Sequence, residues 1–146
     1  MIQYASFELT DFGRILLHAP FGGKEGRRGA WRALAEAQKT GKARSIGVSN
    51  FGLHHLEDLE DYIKSSGEGR IEVGQYELHP WLGRADLVDW LHKRGVVIEA
   101  YSPLARGTRM DEPVLRAISE KHKKSPAQVL IRWSLQKVSI QPSLYD

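Results

Sequence analysis

A chain of 146 residues, 41% hydrophobic and with a formal net charge of +3, is long enough for one core and too short for two comfortable domains. Its Lys and Arg are interspersed among Asp and Glu, so no basic stripe follows a nucleic-acid backbone, and its apolar runs fall far short of a membrane span. The absence of cysteine excludes a disulfide framework, a thiolate nucleophile and a cysteine-based zinc site, and fits a cytoplasmic protein.

Residues 1–13 show no sustained periodicity and are left unplaced; they also lack the basic-then-apolar pattern of a secretory signal. Ile15–Leu17 is a tight apolar run ending at His18, and the spacing predicts a short strand. Ala19–Gly23 then reads as loop and Lys24–Gly29 as a charged, glycine-rich loop. Ala30–Lys39 carries Trp31, Leu34, Ala35 and Gln38 at helical spacing, with Gly41 where a glycine stops a helix. Ser45–Val48 is the next strand, and it hands over directly to Ser49 and Asn50, the chain's only asparagine. Leu53–Lys64 is an amphipathic helix with Leu56, Leu59 and Ile63 on one face.

Ile71–Gly74 reads as a third strand, running into the polar cluster Gln75–Trp81. A helix over Ala85–Arg94, with Val88 and Leu91 inward and Gly95 as its stop, leads to a fourth strand at Val96–Ile98. That strand ends in Glu99–Pro103. Helices follow at Pro113–Lys123 and from Ser125, where Ser125, Pro126 and Gln128 spell a capping box. Val138–Ile140 is a fifth candidate strand. Alternation of this kind specifies a parallel sheet with right-handed crossovers. Parallel strands end on one face, so His18, Ser49–Asn50, Gln75 and Tyr101–Ser102 converge there.

These residue types admit chemistry and plainer roles together. Ser49 or Asn50 can cap the following helix; His18 can be a hydrogen-bonded structural histidine or an active one. Tyr101 offers a flat stacking surface or a rim aromatic, and the Gln75 amide needs a polar partner, which a carboxamide-bearing ligand would supply. Gly67-Glu68-Gly69 precedes a strand and lacks a third glycine, so it is no dinucleotide fingerprint. His54 and His55 are adjacent on a helix and do not face one metal ion; His92 and His122 sit in polar helical stretches, and His79 is either structural or lines a site. No metal site is expected.

As a set, LLHAP at 16–20, GKARSIGVSNF at 41–51, QYELHP at 75–80, EAYSPLA at 99–105 and SPAQVLIRW at 125–133 resemble the aldo-keto reductases, NADPH-dependent carbonyl reductases built on a TIM barrel. The resemblance runs from Ile15 to about Lys137. It implies that His18 orients the substrate carbonyl, that Ser49, Asn50 and Gln75 hold the nicotinamide carboxamide, that Tyr101 stacks on the nicotinamide ring, and that Ser102 and Leu104 begin the loop along the pyrophosphate. The family's catalytic tyrosine, with its lysine and aspartate, comes from earlier in the barrel and has no match here. Gln141-Pro142-Ser143 lacks the lysine of the family's 2′-phosphate grip, and the arginine segment is missing.

The expectation is therefore a single incomplete domain over 1–146, α/β in class: a partial TIM (β/α)8 barrel of about five parallel strands with outer helices. Its cofactor would be NADP(H) and its partner a small-molecule carbonyl substrate, with no nucleic acid and no membrane. Reduction of an aldehyde or ketone to an alcohol would be impaired in so short a chain; the alternative is an inactive half-barrel acting as an interaction partner or pseudoenzyme. A half-barrel also predicts open edges near Ile15–Leu17 and Val138–Ile140, an exposed apolar inner face, and a homodimer or larger assembly through them.

Overall fold

The computed structural model describes residues 12–138. Four strands alternate with helices: β1 (Phe12–Leu17), α1 (Gly23–Lys39), β2 (Ala43–Ser49), α2 (Leu53–Ser66), β3 (Val73–Glu77), α3 (Ala85–His92) and β4 (Val97–Tyr101), followed by a 3-10 turn at Ala105–Gly107 and by α4 (Pro113–His122) and α5 (Pro126–Lys137). The sheet is parallel throughout, in the order β1-β2-β3-β4, with Leu17 opposite Val48, Ser49 opposite Gln75, and Gln75 opposite Glu99. Among the described residues there are four strands rather than five. Val138 caps α5 instead of opening a strand, and the remainder of the expected fifth strand lies outside the described residues, as do residues 1–11 of the unplaced segment.

Which side of each strand is apolar decides the architecture. Ile15 and Leu17, Ile46 and Val48, Tyr76, and Ile98 and Ala100 pack with the helices, against Trp31, Leu56, Leu59, Val88 and Leu91. The alternate positions (Arg14, Ser45, Ser49, Gln75, Glu77, Glu99 and Tyr101 among them) face the other way. The inner face is thus mixed: Leu16, Val73 and Val97 lie on it beside these polar positions, and its Arg14, Gln75 and Glu99 pair with one another. Arg14 Nη1 of β1 lies 3.0 Å from Glu99 Oε1 of β4. In a flat sheet those strands would stand about 14 Å apart, and the register puts Glu99 four residues, about 13 Å, further along than Arg14; that combined separation exceeds what the two side chains bridge together, so the sheet curls toward this face as a barrel wall does. Gly47 lets β3 come close on this face: a Cβ there would fall 2.0 Å from the Val73 carbonyl oxygen.

Lys24–Gly29 is helical, not loop. Two glycines in that stretch cost up to about 1 kcal/mol each in intrinsic propensity, but three cations of this first turn and a half converge on one carboxylate of α2: Lys24 at 2.5 Å, Arg27 at 3.3 Å and Arg28 at 3.5 Å from Asp58. Those contacts, the Lys24 hydrogen bond foremost, hold the Asp58 carboxyl below its ordinary pKa against a burial that pushes the other way. Trp31 in the next turn is fully buried and donates Nε1–H to the Glu68 carbonyl at 2.8 Å. Tertiary ties of this kind override local propensity. α3 stops at His92, two residues short of expectation, where Gly95 at φ 65 lets Val96 N–H reach back to the Leu91 carbonyl at 3.0 Å. The capping box at Ser125 forms as read: Gln128 N–H donates to Ser125 Oγ, and Ser125 N–H donates to Gln128 Oε1.

Candidate functional site

The carboxyl ends of the strands form one rim, and its centre is the turn at Asn50. Asn50 adopts φ 59, a left-handed conformation that asparagine tolerates better than most residues. Its side chain shows why the turn is worth holding. Nδ2 donates both hydrogens, to the His18 carbonyl and to Ser49 Oγ, each at 3.0 Å; Oδ1 accepts from the Tyr101 hydroxyl at 2.8 Å. Three strand ends, β1, β2 and β4, are thereby pinned to one amide. The fourth joins through its backbone, since the Gln75 carbonyl accepts from Ser49 Oγ at 2.9 Å and from Asn50 N–H at 3.2 Å.

So Ser49, Asn50 and Tyr101 come together as side chains, and the other predicted residues stand around them differently. His18 contributes its carbonyl, while its imidazole is exposed. The Gln75 side chain belongs to β3 itself, because that strand spans Val73–Glu77 rather than 71–74; its polar positions face the inner side, where a strand does not need to be apolar. Gln75 Nε2 donates to Glu99 Oε2 at 2.9 Å. Ser102 and Leu104 lie in the loop after β4, with their carbonyls closing successive tight turns onto Ala105 N–H and Gly107 N–H, each at 2.9 Å. That loop is conformationally forced: Ser102, Ala105 and Arg106 all have positive φ.

Glu99 and Arg14 were not singled out from sequence, although a signal existed. A charged residue within a strand, at the parity that points away from the helices, requires a partner on the same face. The loop's strained backbone carried no sequence signal, since none of its positive-φ residues before Gly107 is glycine.

Among the described residues no cluster of three or more metal-ligating side chains occurs, and no helix is long and apolar enough to cross a membrane. His54 and His55 stack on each other at 3.7 Å between ring centroids, and His55 Nδ1 accepts from Gly52 N–H at 3.2 Å, a cap for α2. Partial burial and then the neighbouring His54 lower the His55 pKa. His79 is buried, with Nε2 3.4 Å from the Glu77 carboxylate, while His92 and His122 are exposed.

A curled parallel sheet with outer helices and a polar rim at its strand carboxyl ends is part of a TIM-barrel-type fold. The sequence matches the model of the aldo/keto reductase family over residues 5–144, and the chain belongs to that family. It is 46% identical over 129 residues to the glyoxal reductase of Bacillus subtilis, an overlap covering 88% of this chain and 45% of that protein. Among solved structures, an aldo/keto reductase from Brucella melitensis superposes with a TM-score of 0.79 at 36% identity, over 89% of this chain and 48% of that one. A mutant of Gox0644 crystallised with NADPH superposes with a TM-score of 0.77, again at 36% identity, over 86% of this chain and 45% of the other. The chain thus spans about half the length of the relatives it matches.

Proposed function

We propose that the rim binds the nicotinamide end of NADP(H), and that the chain serves reduction of an aldehyde or ketone to its alcohol. The observation that carries this is the hydrogen-bond ledger of the rim. The Ser49 hydroxyl, both Asn50 amide hydrogens and the Tyr101 hydroxyl all donate within the protein. Ser49 is buried and spent within the protein, so what remains toward a ligand is acceptor capacity on Asn50 Oδ1 and Gln75 Oε1. A carboxamide brings the complementary donor, an amino group. The Tyr101 ring, half-buried and held by its hydroxyl, supports a flat heterocycle beside it. On this reading the Ser102–Leu104 loop follows the cofactor's phosphates, and the exposed His18 imidazole donates a hydrogen bond to a substrate carbonyl.

Bound NADPH would supply the hydride; the protein's task is to orient the two partners and provide a proton. Here one observation favours a second reading. None of the described tyrosines, Tyr62, Tyr76 and Tyr101, has a lysine partner: Tyr62 engages Arg32 and Glu68, Tyr101 engages Asn50, and the buried Tyr76 hydroxyl has no partner among the described residues. The described residues therefore hold and orient without an assigned proton donor, and a general acid is worth about 10²–10⁴-fold in rate. On the second reading the chain binds cofactor and does not turn over. Titration of tryptophan fluorescence with NADPH tests the shared premise: saturable quenching is expected, and its absence overturns both readings. NADPH oxidation with a reactive aldehyde then separates them, turnover above background supporting the reductase and none supporting the binder.

A further inference from the structure

Gln75 is the one rim residue whose orientation is set from outside the rim, and what sets it is a charge pair spanning the sheet. A planar amide can present either its oxygen or its amino group to a ligand, and the two ends are nearly isosteric. A carboxylate beside it removes the ambiguity, because a carboxylate only accepts. Glu99 Oε2 lies 2.9 Å from Gln75 Nε2, while its other oxygen, Oε1, is engaged by Arg14 at 3.0 Å. Both carboxylate oxygens are thus committed, and the Glu99 side chain is largely buried, 22% exposed. Reversing the amide would set Gln75 Oε1 against that carboxylate. Arg14 comes from β1 and Glu99 from β4, so the pair also ties the two outermost described strands across the face that carries Gln75.

We infer that Glu99, braced by Arg14, is a positioning residue that locks Gln75 with its oxygen turned away from Glu99, making the rim acceptor-only and selective for a carboxamide over a carboxylate on the pyridine ring. The inference rests on the nicotinamide reading above. A carboxamide amino group offers its two N–H to Gln75 Oε1 and Asn50 Oδ1. A nicotinic-acid ring offers only anionic oxygens to the same acceptors, with the Glu99 charge behind them, and it is refused by repulsion and by unpaired acceptors.

The test compares binding of NADPH with that of reduced nicotinic acid adenine dinucleotide phosphate, by fluorescence titration, in the wild-type chain, Glu99→Leu and Glu99→Gln. The wild type is expected to favour NADPH by about tenfold or more, the ratio that a single mispaired charged hydrogen bond produces. In Glu99→Leu the amide loses its anchor. In Glu99→Gln the new amide accepts either orientation of Gln75. Both variants should bring the ratio toward one, chiefly by improving the acid's binding relative to NADPH. A variant that merely loosened the fold would weaken both ligands together and keep the ratio, and a thermal melt by circular dichroism reports that loosening separately. An unchanged ratio in both variants, with NADPH still bound, overturns the positioning role alone. A wild-type ratio near one overturns it as well. Failure of the wild type to bind either dinucleotide overturns the nicotinamide reading, and this inference with it.

Discussion

The two faces of the sheet are built on different physics. On the helix side, Ile46, Val48, Tyr76 and Ile98 meet Trp31, Leu56, Leu59 and Leu91, and what fixes them is volume. On the inner side, Arg14, Gln75 and Glu99, and at the rim Ser49, Asn50 and Tyr101, are fixed by direction: each hydrogen bond specifies which atom points where. A close-packed face tolerates exchange of one apolar group for another of similar size. A hydrogen-bonded face does not, but losing one of its members leaves the core packed. Stability should therefore reside on the first face and ligand recognition on the second.

The largest break in that division is expected on the helix side. Trp31 is fully buried, and removing an aromatic ring from such a site typically costs 3–5 kcal/mol, with a further cost for leaving the Glu68 carbonyl without its 2.8 Å donor. Against a total stability of about 5–15 kcal/mol, Trp31→Ala should lower the urea midpoint severely or abolish a cooperative transition. Trp31→Phe should fall in between, keeping much of the volume and losing the indole N–H. A loss under about 1 kcal/mol for Trp31→Ala would mean that the α1–sheet contact is not where the fold is held.

Asn50→Gly sharpens the contrast from the other side. Glycine accommodates φ 59 without strain, so the substitution removes the amide's hydrogen bonds and leaves the turn intact. The expected cost is about 1–3 kcal/mol in stability, smaller than for Trp31→Ala, accompanied by loss of saturable NADPH quenching. Retained quenching with unchanged affinity would show that the rim's hydrogen bonds serve the turn and not a ligand.

The same division explains what could be read from the sequence. Apolar periodicity reports the volume-fixed face directly, so the strands, the amphipathic α2 and the inward residues of α3 were legible, as were the caps at Gly41 and Ser125. The rim residues were legible because parallel strands end on one side and because those stretches resemble a family. Helicity of Lys24–Gly29 was not, since it depends on Asp58, about thirty residues away in the chain. Nor was the extent of β3: a strand whose inner face carries Gln75 and Glu77 looks like loop until Glu99 is seen beside it. Nor was the polar network on the inner face legible, since a charge pair that joins the first strand to the fourth leaves no local trace.

The smallest expected effect lies at a place where the two kinds of construction collide. Tyr76 sits on the helix side, 1% exposed, with its ring against the position of Gly74, where a Cβ would fall 2.9 Å from the ring, and its hydroxyl is buried with no hydrogen-bond partner among the described residues. Burial drives its pKa strongly upward, so the group stays a neutral phenol. A buried hydroxyl without a partner forfeits its hydration and recovers nothing, whereas the ring beneath it contributes apolar contact that phenylalanine would retain. Tyr76→Phe should consequently be neutral or stabilising by up to about 1 kcal/mol, with the NADPH titration unchanged because the side chain points away from the rim. Chemical denaturation resolves a change of that size. Destabilisation beyond about 1 kcal/mol would show that the hydroxyl is hydrogen-bonded in solution, and that the helix side of the sheet, too, is held partly by direction.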